Sequence, residues 1–276
     1  MKPTLLSILL LTVMLLIGCR HKLEPLHIAC SDAMLPVVTT LGREFHKNFG
    51  VPVLTVRCEA DAFAFEKLTN YDFVITDDLC LVDLLVEKGT ISAVTDFSYA
   101  QPVMVFRRSD NLPVLKFADL ATVDHPLRLT IASTCETLRQ IITTRFTLTN
   151  IPLQGDEANI QLLPFLVREI RSDGTEQQTT PETMLQQLHD RKTDIVVFWD
   201  FVASRAIANH ADSDAFVTIA WPQEATDTMT IPLCLVKDCN EYSNCQVFVN
   251  FIKSRRGNEL LQSCFLQPCD ELAGTW

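Results

Sequence analysis

Residues 26–34 read LHIACSDAM: an apolar, strand-like run halts at Cys30, Ser31 and Asp32, and a helical pattern begins at once. A hydroxyl and a carboxylate at such a junction can do one of two things. They cap the unpaired N–H groups of the helix, or they line a ligand site at its positive end. Asp77 and Asp78 repeat the arrangement after the apolar run YDFVIT, with the same two readings, helix cap or cleft lining. Carboxylates, hydroxyls and histidines are also raw material for catalysis, but the motifs that organise them are missing. The chain has no G-x-S-x-G, H-E-x-x-H, P-loop or G-x-G-x-x-G pattern. With eight glycines it has little material for a phosphate-cradling loop. The six histidines are scattered and none stand four apart, so neither a metal site nor a cofactor is expected. No pattern of a known catalytic class organises these residues, and an enzyme is not expected.

The ten cysteines carry a different chemistry. Cys19 stands apart, and nine follow: Cys30, Cys58, Cys80, Cys135, Cys234, Cys239, Cys245, Cys264 and Cys269. In an exported chain such a set implies disulfides, and an odd count leaves one thiol over. Cys239 with Cys245 and Cys264 with Cys269 are closest in sequence, although spacing does not determine connectivity.

Export is written at the start of the chain. Lys2 precedes the apolar run LLSILLLTVMLLIG, which ends in Leu16-Ile17-Gly18-Cys19. The run is short for a membrane span and has the layout of a signal peptide. LIGC resembles the lipobox of bacterial lipoproteins, in which cleavage precedes the cysteine and that cysteine takes lipid. This implies a signal peptide over 1–18, lipid on Cys19, a tether over 19–25, and a body outside the cytoplasm. Several acyl chains make a firm anchor at about 0.8 kcal/mol per buried CH₂. The net charge of −11 repels nucleic acid and anionic lipid headgroups, so nucleic acid is not an expected partner.

The elements that must position these groups follow an α/β rhythm. Strands are expected over 26–30, VPVLTV, YDFVIT, 101–108, 127–132, 194–199, AFVTIAW and 230–236. Helices are expected over 32–48 with Asp32 as N-cap, over FAFEKL, DLCLVDLLVEKG, 134–146, 158–169 and 181–190, and in a C-terminal pair broken near Gly257. RSDGTEQQTTP reads as a polar surface loop. Strands separated by helices of this length imply right-handed βαβ units and parallel pairing. No Gly/Ser-rich linker divides the two halves, so the chain is expected to cross twice near 101–107 and 230–236, giving discontinuous lobes.

The chain resembles the molybdate-binding periplasmic proteins of ABC transporters. The likeness rests on HIACSDAM…LGREFHKNFGVPV, on YDFVITDDLCLVDLLVEKG, and on IPLCLV…VFVNFIKSRRGNELLQSCFLQP. It implies a type II periplasmic-binding-protein fold: two lobes, each a mostly parallel sheet flanked by helices, joined by two crossing strands. Lobe 1 would span 26–103 with 230–276, and lobe 2 would span 104–229. The resemblance further implies a monomer that shuts on a small oxyanion such as molybdate or tungstate and hands it to an ABC permease. In that family serine hydroxyls, backbone N–H groups and a tyrosine hold the ion without a counter-charge.

Carried over by position, the first ligand serine is Ser31, beside Cys30. The second falls on Asp61 or Ala62, where a carboxylate would oppose an oxyanion unless turned away or protonated. A hydroxyl or amide falls on Thr134 or Thr137, a further contact on Thr180–Glu182 around Pro181, and the tyrosine on Val197, next to Phe198. The same fold implies that Cys30 and Cys58 end neighbouring strands, as a bridge or as two buried thiols. Trp199 and Trp221 read either as cleft walls or as core packing. With these substitutions, two alternatives stay open: a different small solute, neutral or cationic, or a structural lipoprotein that has lost binding.

Overall fold

The computed structural model describes residues 24–57, 70–110, 128–131, 136–148, 160–162, 168–170, 176–178, 180–220, 229–237, 239 and 242–269. Cys19, Cys58, Asp61, Ala62, Cys135, Thr134, Trp221 and the FAFEKL helix lie outside these residues.

The first sheet has the strand order β13-β4-β12-β3-β1-β2. Its members are β1 (Leu26–Cys30), β2 (Val53–Arg57), β3 (Phe73–Ile75), β4 (Ile91–Ala100), β12 (Met229–Val236) and β13 (Gln267–Pro268). β1 pairs in parallel with β2 and β3, while β12, β4 and β13 add antiparallel pairs. The period of two sorts its side chains. Ile28, Cys30, Phe73 and Ile75 join the main core, whereas Ala29, Val74 and Cys234 face a smaller cluster with Val82 and Leu85. Helix α1 (Leu35–Phe49) and the C-terminal helices α6 (Tyr242–Lys253) and α7 (Arg255–Ser263) contribute to the first of these clusters. Helix α2 (Leu79–Glu87) covers the second. Val37, Val38, Leu41 and Phe45 form the buried stripe of α1. Phe45 meets Phe248 edge to face at 5.0 Å, and Phe248 lies 5.6 Å from Phe73, tying helix to helix to sheet. Such pairs add about 0.5–1.5 kcal/mol beyond the area they bury. Gly42 allows α1 its close approach, because a Cβ there would sit 3.0 Å from Val53.

The second sheet runs β11-β5-β10-β6-β7. It comprises β5 (Pro102–Arg107), β6 (Leu129–Ile131), β7 (Ile160–Leu162), β10 (Ile195–Trp199) and β11 (Phe216–Ala220). β6, β7 and β10 pair in parallel, and β5 runs antiparallel to both β10 and β11. Helices α3 (Glu136–Leu148), α4 (Pro181–His189) and α5 (Asp200–Asn209) accompany it. Two short strands, β8 (Arg168–Ile170) and β9 (Glu176–Gln178), form a separate antiparallel pair. Within the stretch 158–169, expected to be helical, the described residues Ile160–Leu162 and those at 168–169 are strand. β7 there extends the sheet instead, because the open edge of β6 offers backbone partners that outweigh a weak helical periodicity.

The chain passes from the first sheet to the second at Gln101, between β4 and β5, and returns between β11 and β12. Asp200, the first residue of α5, braces that passage. Its carboxylate accepts from Gln101 N at 3.3 Å and Phe201 N at 2.9 Å, and its own N–H donates to Gln101 O. Burial raises this carboxyl to about 6, against the pull of its backbone hydrogen bonds. Its folded pKa lies above the unfolded value, so ionisation costs stability as pH rises from about 4 to about 6, and the loss persists above that. Asp200→Asn is expected to lessen that pH dependence, gaining on the order of 2 kcal/mol at pH 7 relative to pH 4. Chemical denaturation of both proteins across pH 4–8 checks this, and parallel curves for the two would refute it.

Candidate functional site

In open α/β sheets ligands collect at the carboxyl ends of parallel strands. Three residues mark that end here: Ser31 after β1, Asp77 after β3, and Trp199 at the end of β10. They come from both sheets.

Ser31 holds the turn between β1 and α1. Its N–H donates to Ile75 O at 3.1 Å, and its carbonyl accepts from Met34 N and Leu35 N. The helix starts three residues later than expected, with Met34 in the cap position and no side-chain cap bond. Asp32 is thus not the N-cap. It reaches sideways to Arg57 at the end of β2, with Arg57 Nη2 2.6 Å from its Oδ2, because a full guanidinium charge outcompetes a backbone N–H for the carboxylate. Ser31 Oγ is buried without a hydrogen bond of good geometry.

Asp77 is the neighbour that matters to Ser31. It is buried, at 3% exposure, where a side chain from the second sheet reaches it. The indole of Trp199, fully buried, donates from Nε1 to Asp77 Oδ2 at 2.7 Å. Burial pushes the Asp77 carboxyl above the usual carboxylate range, while Ser31 and Trp199 hold it down and the charge of Asp78 adds to the rise. Burial thus favours the neutral form of this acid, and the indole donor favours the ionised one.

Asp78 does cap its own helix, accepting from Cys80 N at 3.1 Å. It also serves a second one. Thr137 Oγ, in the first turn of α3, donates to Asp78 Oδ1 at 3.0 Å, and Glu136 N approaches Asp78 Oδ2 at 3.4 Å. In return, Thr137 Oγ accepts from Leu79 N at 2.9 Å. The N-termini of α2 and α3 are therefore tied across the two sheets, and the N–H groups of Leu79, Cys80 and Glu136 already have acceptors.

Of the positions carried over by resemblance, Ser31 and Thr137 come to this junction, linked by Asp77-Asp78. Cys30 lies at the end of β1 with its side chain in the core. Val197 is fully buried in the middle of β10, opposite Met104 and Ile131. Pro181 is the first residue of α4, behind a capping box made by Thr180 and Thr183. Val197 presents no hydroxyl; the strand's polar contact comes from Trp199, two residues on. A buried aromatic with a ring N–H at the end of an apolar strand was the signal for it.

Two further groups lie elsewhere. Asp72, Cys239 and Cys245 have ligand atoms within 4.8 Å of one another, at the opposite end of β3 from Asp77. Cys234 is buried in β12, where desolvation pushes its thiol up to about 12, leaving it protonated. Among the described residues no helix is long and apolar enough to cross a membrane.

A family model of bacterial extracellular solute-binding proteins matches residues 26–265. No curated protein matches the sequence. Among solved structures, the substrate-binding domain of a putative molybdenum ABC transporter from Clostridium difficile superimposes with a TM-score of 0.63 at 12% identity, covering 90% of this chain and 100% of that one. Iron-bound HitA from Pseudomonas aeruginosa gives 0.61 at 12% identity, covering 88% and 86%. Peb3 from Campylobacter jejuni gives 0.60 at 13% identity, covering 88% and 100%. At these identities the likeness is one of fold, a periplasmic-binding-protein-like pair of sheets with flanking helices.

Proposed function

This chain belongs to the bacterial extracellular solute-binding proteins, and from that premise we propose that it is the receptor of an ABC importer. In this reading lipid on Cys19 tethers it to the membrane. Lobes of residues 26–103 with 230–276 and of residues 104–229 shut on a small solute, and the permease reads the shut state. The solute is neutral or cationic. The observation that carries this choice is the pair of acids Asp77 and Asp78 at the junction that bears Ser31, where a tetrahedral oxyanion would need donors. Binding on both sides of the junction favours the shut state by the difference in affinity between the two states.

A second reading keeps an oxyanion as the cargo. The position of Ser31 favours it, as does the fold shared with a domain of a putative molybdenum transporter. The donor count opposes it, since the N–H groups of Leu79, Cys80 and Glu136 already have acceptors.

Thermal shift and native mass spectrometry separate the readings. Ferric ion, divalent metals, polyamines, amino acids and sugars are set against molybdate, tungstate, sulfate and phosphate. A ligand at a hundred times its Kd adds about 2.7 kcal/mol of stability. A shift with one of the first group, and none with the oxyanions, is the expected result. A molybdate shift overturns the choice of cargo, and silence with every solute overturns the receptor. Cys19→Ala is expected to abolish palmitate labelling in cells; labelling that persists removes the anchor.

A further inference from the structure

We propose that Asp72, Cys239 and Cys245 form a binding site for a thiolate-preferring divalent metal ion such as zinc, beside the first sheet and at the opposite end of β3 from Asp77. A carboxylate oxygen and the two sulfurs lie within 4.8 Å of one another. Asp72 and Cys245 are buried, and Cys239 is half-buried.

Three separate elements supply the donors. Asp72 immediately precedes β3, Cys239 follows β12, and Cys245 lies in the first turn of α6. Backbone bonds hold Asp72 in place: its Oδ2 accepts from His27 N at 2.8 Å, its N–H donates to His27 O, and its carbonyl accepts from Val236 N. The last of these sets the end of β12, and so Cys239, against Asp72. The first orients the carboxylate, the kind of supporting contact that fixes a metal ligand. A disulfide would use the two sulfurs and leave the carboxylate unexplained. Without a cation, two thiols and a carboxylate crowded together oppose one another's ionisation. A metal ion reverses that, displacing a proton from each thiol so that all three bind as anions. The donor set also selects the ion. Two sulfurs and an oxygen suit tetrahedral zinc, whereas calcium and magnesium take oxygen ligands. Zinc bonds of about 2.0–2.3 Å place neighbouring ligand atoms about 3.5–3.8 Å apart, which small side-chain turns supply here. The C-x₅-C spacing is looser than the usual zinc pair, and Asp72 comes from far upstream, so the sequence does not announce the site.

The test uses the whole chain, kept reduced, with zinc(II) alone as the probe. Calorimetry and native mass spectrometry are expected to show a zinc ion that Cys245→Ser and Asp72→Asn each bind roughly tenfold or more weakly than wild type. Asp72→Asn keeps an acceptor for His27 N, so it removes the ligand charge and spares the turn. Undiminished zinc binding by either variant overturns the site. A measurement on the wild type needs no variant to fold: zinc is expected to shield Cys239 from alkylation but not Cys80, both partly exposed. Alkylation of Cys239 that zinc leaves unchanged overturns the site. So does recovery of Cys239 and Cys245 joined by a disulfide in chain taken from cells before any reductant. The solute reading stands or falls separately, because both variants leave Ser31, Asp77 and Trp199 intact. A zinc shift in the solute screen that these variants lose belongs to this site and not to the cargo.

Discussion

Replacing Arg107 with methionine is expected to cost about 3–5 kcal/mol of stability, the usual penalty when one partner of a buried charged network is removed. Arg107 ends β5 and is 8% exposed. Its Nη1 donates to Leu188 O at the close of α4 and to Thr193 O at 2.8 Å. Its Nη2 pairs with Asp110 and lies 3.6 Å from Asp194 Oδ1. One guanidinium therefore ties a strand, the end of a helix and the loop that follows that helix. Methionine fills much of the volume but donates nothing, so the carbonyls of Leu188 and Thr193 each lose a donor and Asp110 loses its counter-charge. Lysine keeps the charge but not the fork, and should recover only part of the loss. Urea denaturation of Arg107→Met and Arg107→Lys measures both. A methionine variant within 1 kcal/mol of wild type would show that water replaces the network.

Trp199→Phe is expected to cost about 3 kcal/mol at pH 8, from lost ring volume and from a buried carboxylate deprived of its donor. The pH dependence is the informative part. Trp199 lowers the Asp77 pKa, which means that it stabilises the ionised acid. Burial already holds that pKa above the unfolded value, so the acid becomes neutral as pH falls through the acid range, and the indole then contributes less. The difference between wild type and Trp199→Phe should therefore shrink toward pH 4. Asp77→Asn keeps an acceptor for the indole and removes the desolvated charge, so it should match or exceed wild-type stability at pH 8. In the double variant the two losses should not add. Denaturation curves at pH 4, 6 and 8 for the four proteins measure this. Additive, pH-independent losses would mean that the contact is packing alone.

The same residues show how far the sequence reaches. The helix over 79–87 with Asp78 as its cap was legible, because a carboxylate before an apolar helical run acts on N–H groups two residues away. That Asp78 also holds α3 was not legible. Thr137 is 59 residues distant, and nothing local to either residue specifies the other. Asp32 illustrates the reverse case. By local rules it is a good cap, yet Arg57 across the β1–β2 pair takes its carboxylate. The stretch 158–169 had helical spacing, but the edge of β6 drew Ile160–Leu162 into a strand.

The amino-acid order by itself determined the α/β rhythm, the buried stripes and the acidic balance of charge. Each of these depends on residue type and on spacings within a turn or a strand. Tertiary structure alone decided what faces the junction of the sheets: Trp199 on Asp77 from 122 residues away, and two helix tips tied by one carboxylate. Such contacts depend on strand order and crossing. Those are settled by burying whole faces of sheet and helix together, and no short-range pattern encodes them.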